Sequence, residues 1–325
     1  RGLGDVYKRQ YLHWRTYGIF FSFLCVMFRA YYVGITQTKI LTVNSIVMLL
    51  SNVALNYCLI FGKGGFPAAG IAGAAIASSV SEAVSLLFFI IYTSMTADKR
   101  KYGFRRAFTL HPHLLKGMLS ISGWTMVQSF ISVSIWFIFF LAIEHLGERP
   151  LAVTNIVRNI SALLIMVISA FATTAGALIS NQIGAGEQRC LFKTCGMTLK
   201  LTYAILIPLL IILCLFPESV LRAFTDSPSL IAASVNSVYV MASSTLIMAP
   251  SFILFNAVSG TGNTRAGFIM EMISLAVYTA VIYYGIIRLK PDVALCWFSE
   301  HVYGVTLIFL AWWYLKSGKW RGKKV

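Results

Sequence analysis

Glu82 and Glu300 are the carboxylates whose setting most invites chemistry, because each sits inside a long apolar stretch. An ionisable side chain at that depth is costly to bury, so it faces a polar cavity or a partner. A carboxyl group held there can bind a proton or a cation. Both follow a serine, as Ser81-Glu82 and Ser299-Glu300, 218 residues apart. Glu271 lies near one end of its stretch, where it could reach the interface. Arg158 falls between Asn155 and Asn159, and positions i, i+3 and i+4 share a helix face. Its guanidinium would attract an anionic part of a ligand or pair with a glutamate. Asn52 and Asn56 make a similar polar pair, and Gln128 is the first amide side chain after Ser122 in its stretch. The alternative for all of these is structural: hydrogen-bonded staples between helices, worth roughly 0.6–2 kcal/mol each.

Other chemistries lack their residues. There are no paired aspartates, no His-Glu-x-x-His and no Gly-x-Ser-x-Gly, so nothing marks an intramembrane enzyme. The run Asn181-Gln182-Ile183-Gly184-Ala185-Gly186 has no following Lys-Ser or Lys-Thr and is no phosphate loop. It reads, like Gly260-Thr261-Gly262, as a tight turn. The five histidines show no metal spacing, and no cofactor is implied. The six cysteines lie mostly in apolar runs and read as small packing residues.

The elements that hold these residues follow from composition. Of 325 residues, 58% are hydrophobic and 12% charged. The mean hydropathy is +0.76. Soluble domains carry about twice that charge, so a soluble enzyme, a disordered tail and a coiled coil are excluded. A bilayer-crossing helix needs about 20 apolar residues. Nine blocks qualify: Thr16–Ile35, Ile40–Phe61, Ile71–Thr93, Leu119–Ile143, Leu151–Ile179, Met197–Phe216, Ile231–Val258, Gly267–Ile287 and Ala294–Leu315. The chain reads as an all-α membrane protein, a polytopic bundle of nine transmembrane helices. Pro208 and Pro250 do not veto helix, because neighbouring helices re-satisfy the freed backbone groups. Glycines and alanines from Gly70 to Ala77 predict a closely packed start to the third span.

The net charge of +16 comes from 27 Lys plus Arg against 11 Asp plus Glu. The basic residues lie between the spans, which points to the positive-inside rule rather than to nucleic acid. One side carries Lys39; Lys99, Arg100, Lys101, Arg105, Arg106 and Lys116; Arg189, Lys193 and Lys200; Arg265; and the tail residues Lys316, Lys319, Arg321, Lys323 and Lys324. The other carries Lys63, Arg149, Arg222, Arg288 and Lys290. The bias predicts a cytoplasmic C-terminus, and Trp312, Trp313, Tyr314 and Trp320 would form an interfacial belt beside it.

A repeat runs through the chain. Gly34-Ile-Thr-Gln-Thr38-Lys39 and Gly260-Thr-Gly-Asn-Thr264-Arg265 share Gly-x-x-x-Thr plus a base, 226 residues apart. Like the two Ser-Glu pairs, they are six helices apart. An even offset preserves orientation, so the repeats relate by an axis along the membrane normal, as in some secondary transporters.

Several motifs together resemble the multidrug and toxic compound extrusion (MATE) family. NVALNYCLIFGKGGFPAAGIAGAAIAS, from Asn52 to Ser78, is similar to its fifth-to-sixth helix signature. Phe28-Arg29-Ala30 with Gly34 to Thr38 resembles the end of helix four. Asn155 to Ile160 and Ser180 to Glu187 resemble helix eight and its loop, and Ser259 to Arg265 the loop after helix ten. The resemblance covers residues 11–325, helices four to twelve of a twelve-helix, two-lobe fold.

It implies antiport: export of drugs or other amphipathic organic compounds in exchange for sodium or protons, by a monomer in the plasma (inner) membrane. Its partners would be a small-molecule substrate and the lipid bilayer. Some members carry an acid on helix seven, and GWTMVQSFISVSIWF from Gly123 has none. The related alternative is a lipid-linked oligosaccharide flippase, whose wide cationic cavity is not suggested by one arginine beside two glutamates.

The organisation expected is a non-native leader over 1–10, whose sequence resembles translated adaptor. The last three helices of the first lobe then run over 11–97 and a basic linker over 98–116. A six-helix second lobe follows over 117–315 and a basic tail over 316–325. Helices one to three would then precede the first residue.

Overall fold

The computed structural model describes residues 2–96 and 111–321, and among them every regular element is helical. The first three helices are α1 (Gly2–Gly34), α2 (Lys39–Phe61) and α3 (Gly70–Thr96). After them come α4 (Pro112–Glu144), α5 (Glu148–Gly184), α6 (Leu191–Leu215), the short α7 (Pro217–Arg222) and α8 (Pro228–Gly260). The chain ends with α9 (Thr264–Val281), the single turn α10 (Val293–Cys296) and α11 (Phe298–Ser317). Nine helical stretches among the described residues are long and apolar enough to cross a membrane, and each coincides with one of the nine expected blocks. Pro208 and Pro250 lie inside α6 and α8. Lys99, Arg100, Lys101, Arg105, Arg106, Lys323 and Lys324 fall outside the described residues.

The ends differ from the apolar blocks in a consistent way. Helices run past the apolar core into polar residues: α4 has 33 residues and α5 has 37. At 1.5 Å per residue these reach about 50 Å, beyond the roughly 30 Å of hydrocarbon. Pro112 opens α4, where its missing N–H costs nothing. Lys193 and Lys200 lie within α6 with exposed side chains, whose long stems let the ammonium groups reach polar surroundings. Residues 2–10, the stretch expected as a non-native leader, continue α1 backwards. A second departure follows Val281, where Ile282–Arg288 widens into a π-helical stretch.

The described residues pack as two compact units, one before and one after residues 97–110. In the first, α3 packs on both α1 and α2. Gly73 permits the α2 approach, because a Cβ there would overlap the Leu59 carbonyl. The polarity is inverted relative to a soluble helix. On α2 Asn44 is fully buried and donates to Ser85 Oγ at 2.7 Å, while Leu50 is 63% exposed. Such a surface suits hydrocarbon, with polar groups turned inside.

In the second unit α5 and α8 share the most extensive packing. A Cβ on Gly176 would stand 2.9 Å from the Asn256 carbonyl oxygen, and one on Gly260 2.5 Å from that of Gly176. Side chains at these crossings are excluded by backbone. A second face is formed by α9 and α11, with α4 packed on α9.

Both copies of the Gly-x-x-x-Thr motif form the same kind of corner. Gly34 ends α1 and α2 starts at Lys39; Gly260 ends α8 and α9 starts at Thr264. Asn263 caps α9, its side chain accepting from the Ala266 N–H. Gly262, at φ +77°, takes the left-handed conformation that makes the corner tight.

Candidate functional site

Two helices of the second unit offer a carboxylate and a tyrosine each. On α9, Glu271 and Tyr278 are seven residues, about two turns, apart. On α11, Glu300 and Tyr303 are three apart. They bond crosswise. Tyr278 donates to Glu300 Oε1 at 2.8 Å and Tyr303 donates to Glu271 Oε1 at 2.9 Å. The two tyrosine rings meet edge to face at 5.8 Å. Ser132 of α4 adds a second donor to Glu271 Oε1 at 2.9 Å. Three helices are thereby joined through two carboxylates.

These groups line a cavity of about 480 Å³. That lies within the usual range for small-molecule sites. Arg158 of α5 forms part of the wall, along with Trp136 of α4 and Phe252 of α8. The guanidinium carbon lies 5.1 Å from the Phe140 ring centre and 6.0 Å from that of Trp136. Such placement is an attractive cation–π contact. Arg158 Nε and Glu271 Oε2 are buried without hydrogen-bond partners. The site thus combines two acids, one base and aromatic walls.

Of the residues expected from sequence, Glu300 and Arg158 come together here. Asn155 and Asn159 do not line the cavity. Asn155 is half-buried and donates to the Leu151 carbonyl of its own helix, and Asn159 is exposed. The expectation of one shared face is corrected for a geometric reason: Arg158 and Asn159 are consecutive, so they point about 100° apart. Gln128 lies one turn before Ser132 on α4 and does not reach the cavity wall.

Glu82 lies in the first unit, its Oε1 receiving Arg15 Nη2 at 2.6 Å and Ser22 Oγ at 3.4 Å. Asn56 donates to Asn52 Oδ1 at 2.8 Å, and Asn52 reaches Ser78 Oγ at 3.5 Å. Glu271 is corrected from an interfacial position to a buried one, at 4% exposure. The missed residues are Ser132, Tyr278, Tyr303 and Arg15. For the tyrosines a signal existed, since each shares a helix face with a carboxylate.

The family model MatE matches residues 125–284, a stretch that includes Ser132, Arg158, Glu271 and Tyr278. That match covers just under half of the chain. It is 25% identical over 268 residues to the uncharacterized transporter YisQ of Bacillus subtilis, covering 79% of this chain and 56% of that protein. It is 25% identical over 291 residues to a probable multidrug resistance protein, NorM, of Thermotoga maritima, covering 84% and 59%. The chain therefore spans a little over half the length of these curated relatives.

Among solved structures, a MATE protein in its straight conformation superposes with a TM-score of 0.81 at 15% identity, over 95% of this chain and 69% of the other. A mutant of the Vibrio cholerae MATE transporter VcmN gives 0.81 at 12%, over 95% and 68%. These likenesses show the fold. Of the two relatives by sequence, one is described as a transporter and the other as a probable multidrug resistance protein. In this chain α4 offers Ser132 to the cavity, and the acids come from α9 and α11.

Proposed function

We propose that the protein is a secondary active antiporter in the plasma (inner) membrane, its C-terminus cytoplasmic. It exports amphipathic organic compounds in exchange for sodium or protons by alternating access. The observation that carries this reading is the cavity that Glu271 and Glu300, each held by a tyrosine of the facing helix, line together with Arg158 and aromatic side chains. In a medium of low dielectric a carboxylate strongly favours a compensating charge. An entering proton or sodium ion and a departing substrate compete for that compensation, and this competition is what exchange requires. A substrate or ion can shift the equilibrium between two access states only by binding them differently.

The test is compound accumulation in cells carrying the full chain, with and without a sodium or proton gradient. Glu300→Gln and Glu271→Gln, at normal membrane levels, are expected to abolish gradient-dependent export. Wild-type export from both variants rejects the assignment.

A further inference from the structure

Tyr203 stands at the midpoint of α6. Tyrosines that anchor a helix to the membrane interface sit near its ends, so a hydroxyl at this depth needs another account. It donates to the main-chain carbonyl of Leu246, on α8, at 2.8 Å. That carbonyl is a particular acceptor. In an α-helix it would receive the N–H of residue 250, four positions on, and residue 250 is a proline inside α8. Pro250 has no N–H to give, and a proline ring crowds the carbonyl of residue i−4. Tyr203 therefore supplies the donor that α8 itself cannot. Leu246 is 39% exposed near the middle of a spanning helix, where hydrocarbon offers no water as a substitute donor.

The helix geometry links this bond to the cavity. Leu246 and Pro250 are four residues apart and share one face of α8. Met248 and Phe252 share another, about 200° around the helix, and both line the cavity. Pro250 lies between them in sequence, and a helix turns most readily where proline interrupts its hydrogen-bond ladder. The course of α8 through Pro250 thus decides where Met248 and Phe252 stand. Tyr203 also packs against the apolar cluster that contains Met248. We propose that Tyr203 is a positioning residue: its hydroxyl takes the place of the missing Pro250 N–H, fixes the course of α8 and so holds Met248 and Phe252 in the cavity wall. Its bearing on transport rests on the antiporter reading above; the placement of the wall does not.

The experiment follows the wall in the purified full chain, in a background without the six native cysteines. One variant carries Phe252→Cys on α8, and the other Ile165→Cys, which lines the same cavity from α5. The rate of modification by 2-aminoethyl methanethiosulfonate is measured with and without Tyr203→Phe, which keeps the ring and removes only the hydroxyl. The rate at Phe252→Cys is expected to change by at least about threefold, within the range that one neutral hydrogen bond supports. The rate at Ile165→Cys should stay. Pro250→Ala returns an N–H to the Leu246 carbonyl, so in that background Tyr203→Phe should alter neither the Phe252→Cys rate nor the thermal midpoint that it lowers in the parent chain. An unchanged rate at Phe252→Cys, an equal change at both positions, or the same effect of Tyr203→Phe with and without Pro250 overturns the proposal. If Tyr203→Phe alone fails to fold, recovery by Pro250→Ala is the expected result, and continued failure overturns the proposal as well. These measurements use no gradient and no substrate, so their failure leaves the antiporter reading to its own test.

Discussion

At Glu82 the guanidinium of Arg15 stands 2.6 Å from Oε1, and the two side chains are 6% and 31% exposed. The charge of this carboxylate is already matched, and the pair is fitted over Gly18, where a Cβ would come within 2.7 Å of both partners. Removing one partner of such a pair leaves an uncompensated buried charge, whereas replacing both by apolar groups is often neutral. Arg15→Met is therefore expected to lower stability by about 3 kcal/mol, the lower end for a buried pair because Arg15 is partly exposed. Arg15→Met with Glu82→Met should recover most of that loss, read as thermal unfolding in detergent. Equal loss in the single and double variants would show that the pair does not act as a unit. Glu300 and Arg158 were legible in the sequence because charged residues interrupt apolar blocks visibly. Arg15 was not, since it precedes the apolar block and its partner lies 67 residues away. Tyr278 and Tyr303 were hidden for another reason: a tyrosine in an apolar helix looks like packing until the facing carboxylate is placed.

The helices themselves were legible because length and apolarity alone demand them in a bilayer, where backbone groups must bond internally. Their pairing was only partly so. Glycines signalled the α2–α3 approach from composition, and Gly260 stood out as part of a repeated turn, yet nothing distinguished its partner Gly176 at the α5–α8 crossing from Gly196 of α6, around which a Cβ would find nothing within 4 Å. The contrast separates packing from propensity. Gly260→Ala forces a methyl against the Gly176 carbonyl and is expected to destabilise by about 1–3 kcal/mol, the usual cost of overpacking. Gly196→Ala meets open space and restricts the unfolded chain, so it is expected to stabilise by about 0.5–1 kcal/mol. Thermal unfolding of the two variants side by side should give shifts of opposite sign. A fall in both would mean that α6 is packed more closely than its surroundings allow. The π-helical turn over Ile282–Arg288 had no counterpart in the periodicity, because a one-residue change in register leaves an all-apolar pattern unaltered.

Across the whole molecule, sidedness follows from the distribution of bases and not from packing. Sixteen Lys and Arg assigned by the sequence to one side against five to the other is the kind of bias that sets orientation. The helix order carries that bias into specific positions. With every span crossing the bilayer, Lys63, between α2 and α3, falls on the opposite side from Glu187, between α5 and α6, and both side chains are exposed. In a background without the six native cysteines, Lys63→Cys and Glu187→Cys report the two sides to a membrane-impermeant maleimide. Intact cells are expected to label Lys63→Cys and spare Glu187→Cys until the membrane is opened, while a fluorescent protein fused after Val325 folds and glows in the cytoplasm. The reverse labelling pattern would invert every span, and with it the direction in which an exchange driven by inward sodium or protons moves its substrate. Labelling of both positions in intact cells would break the alternation itself, because two loops separated by three crossings cannot share a side.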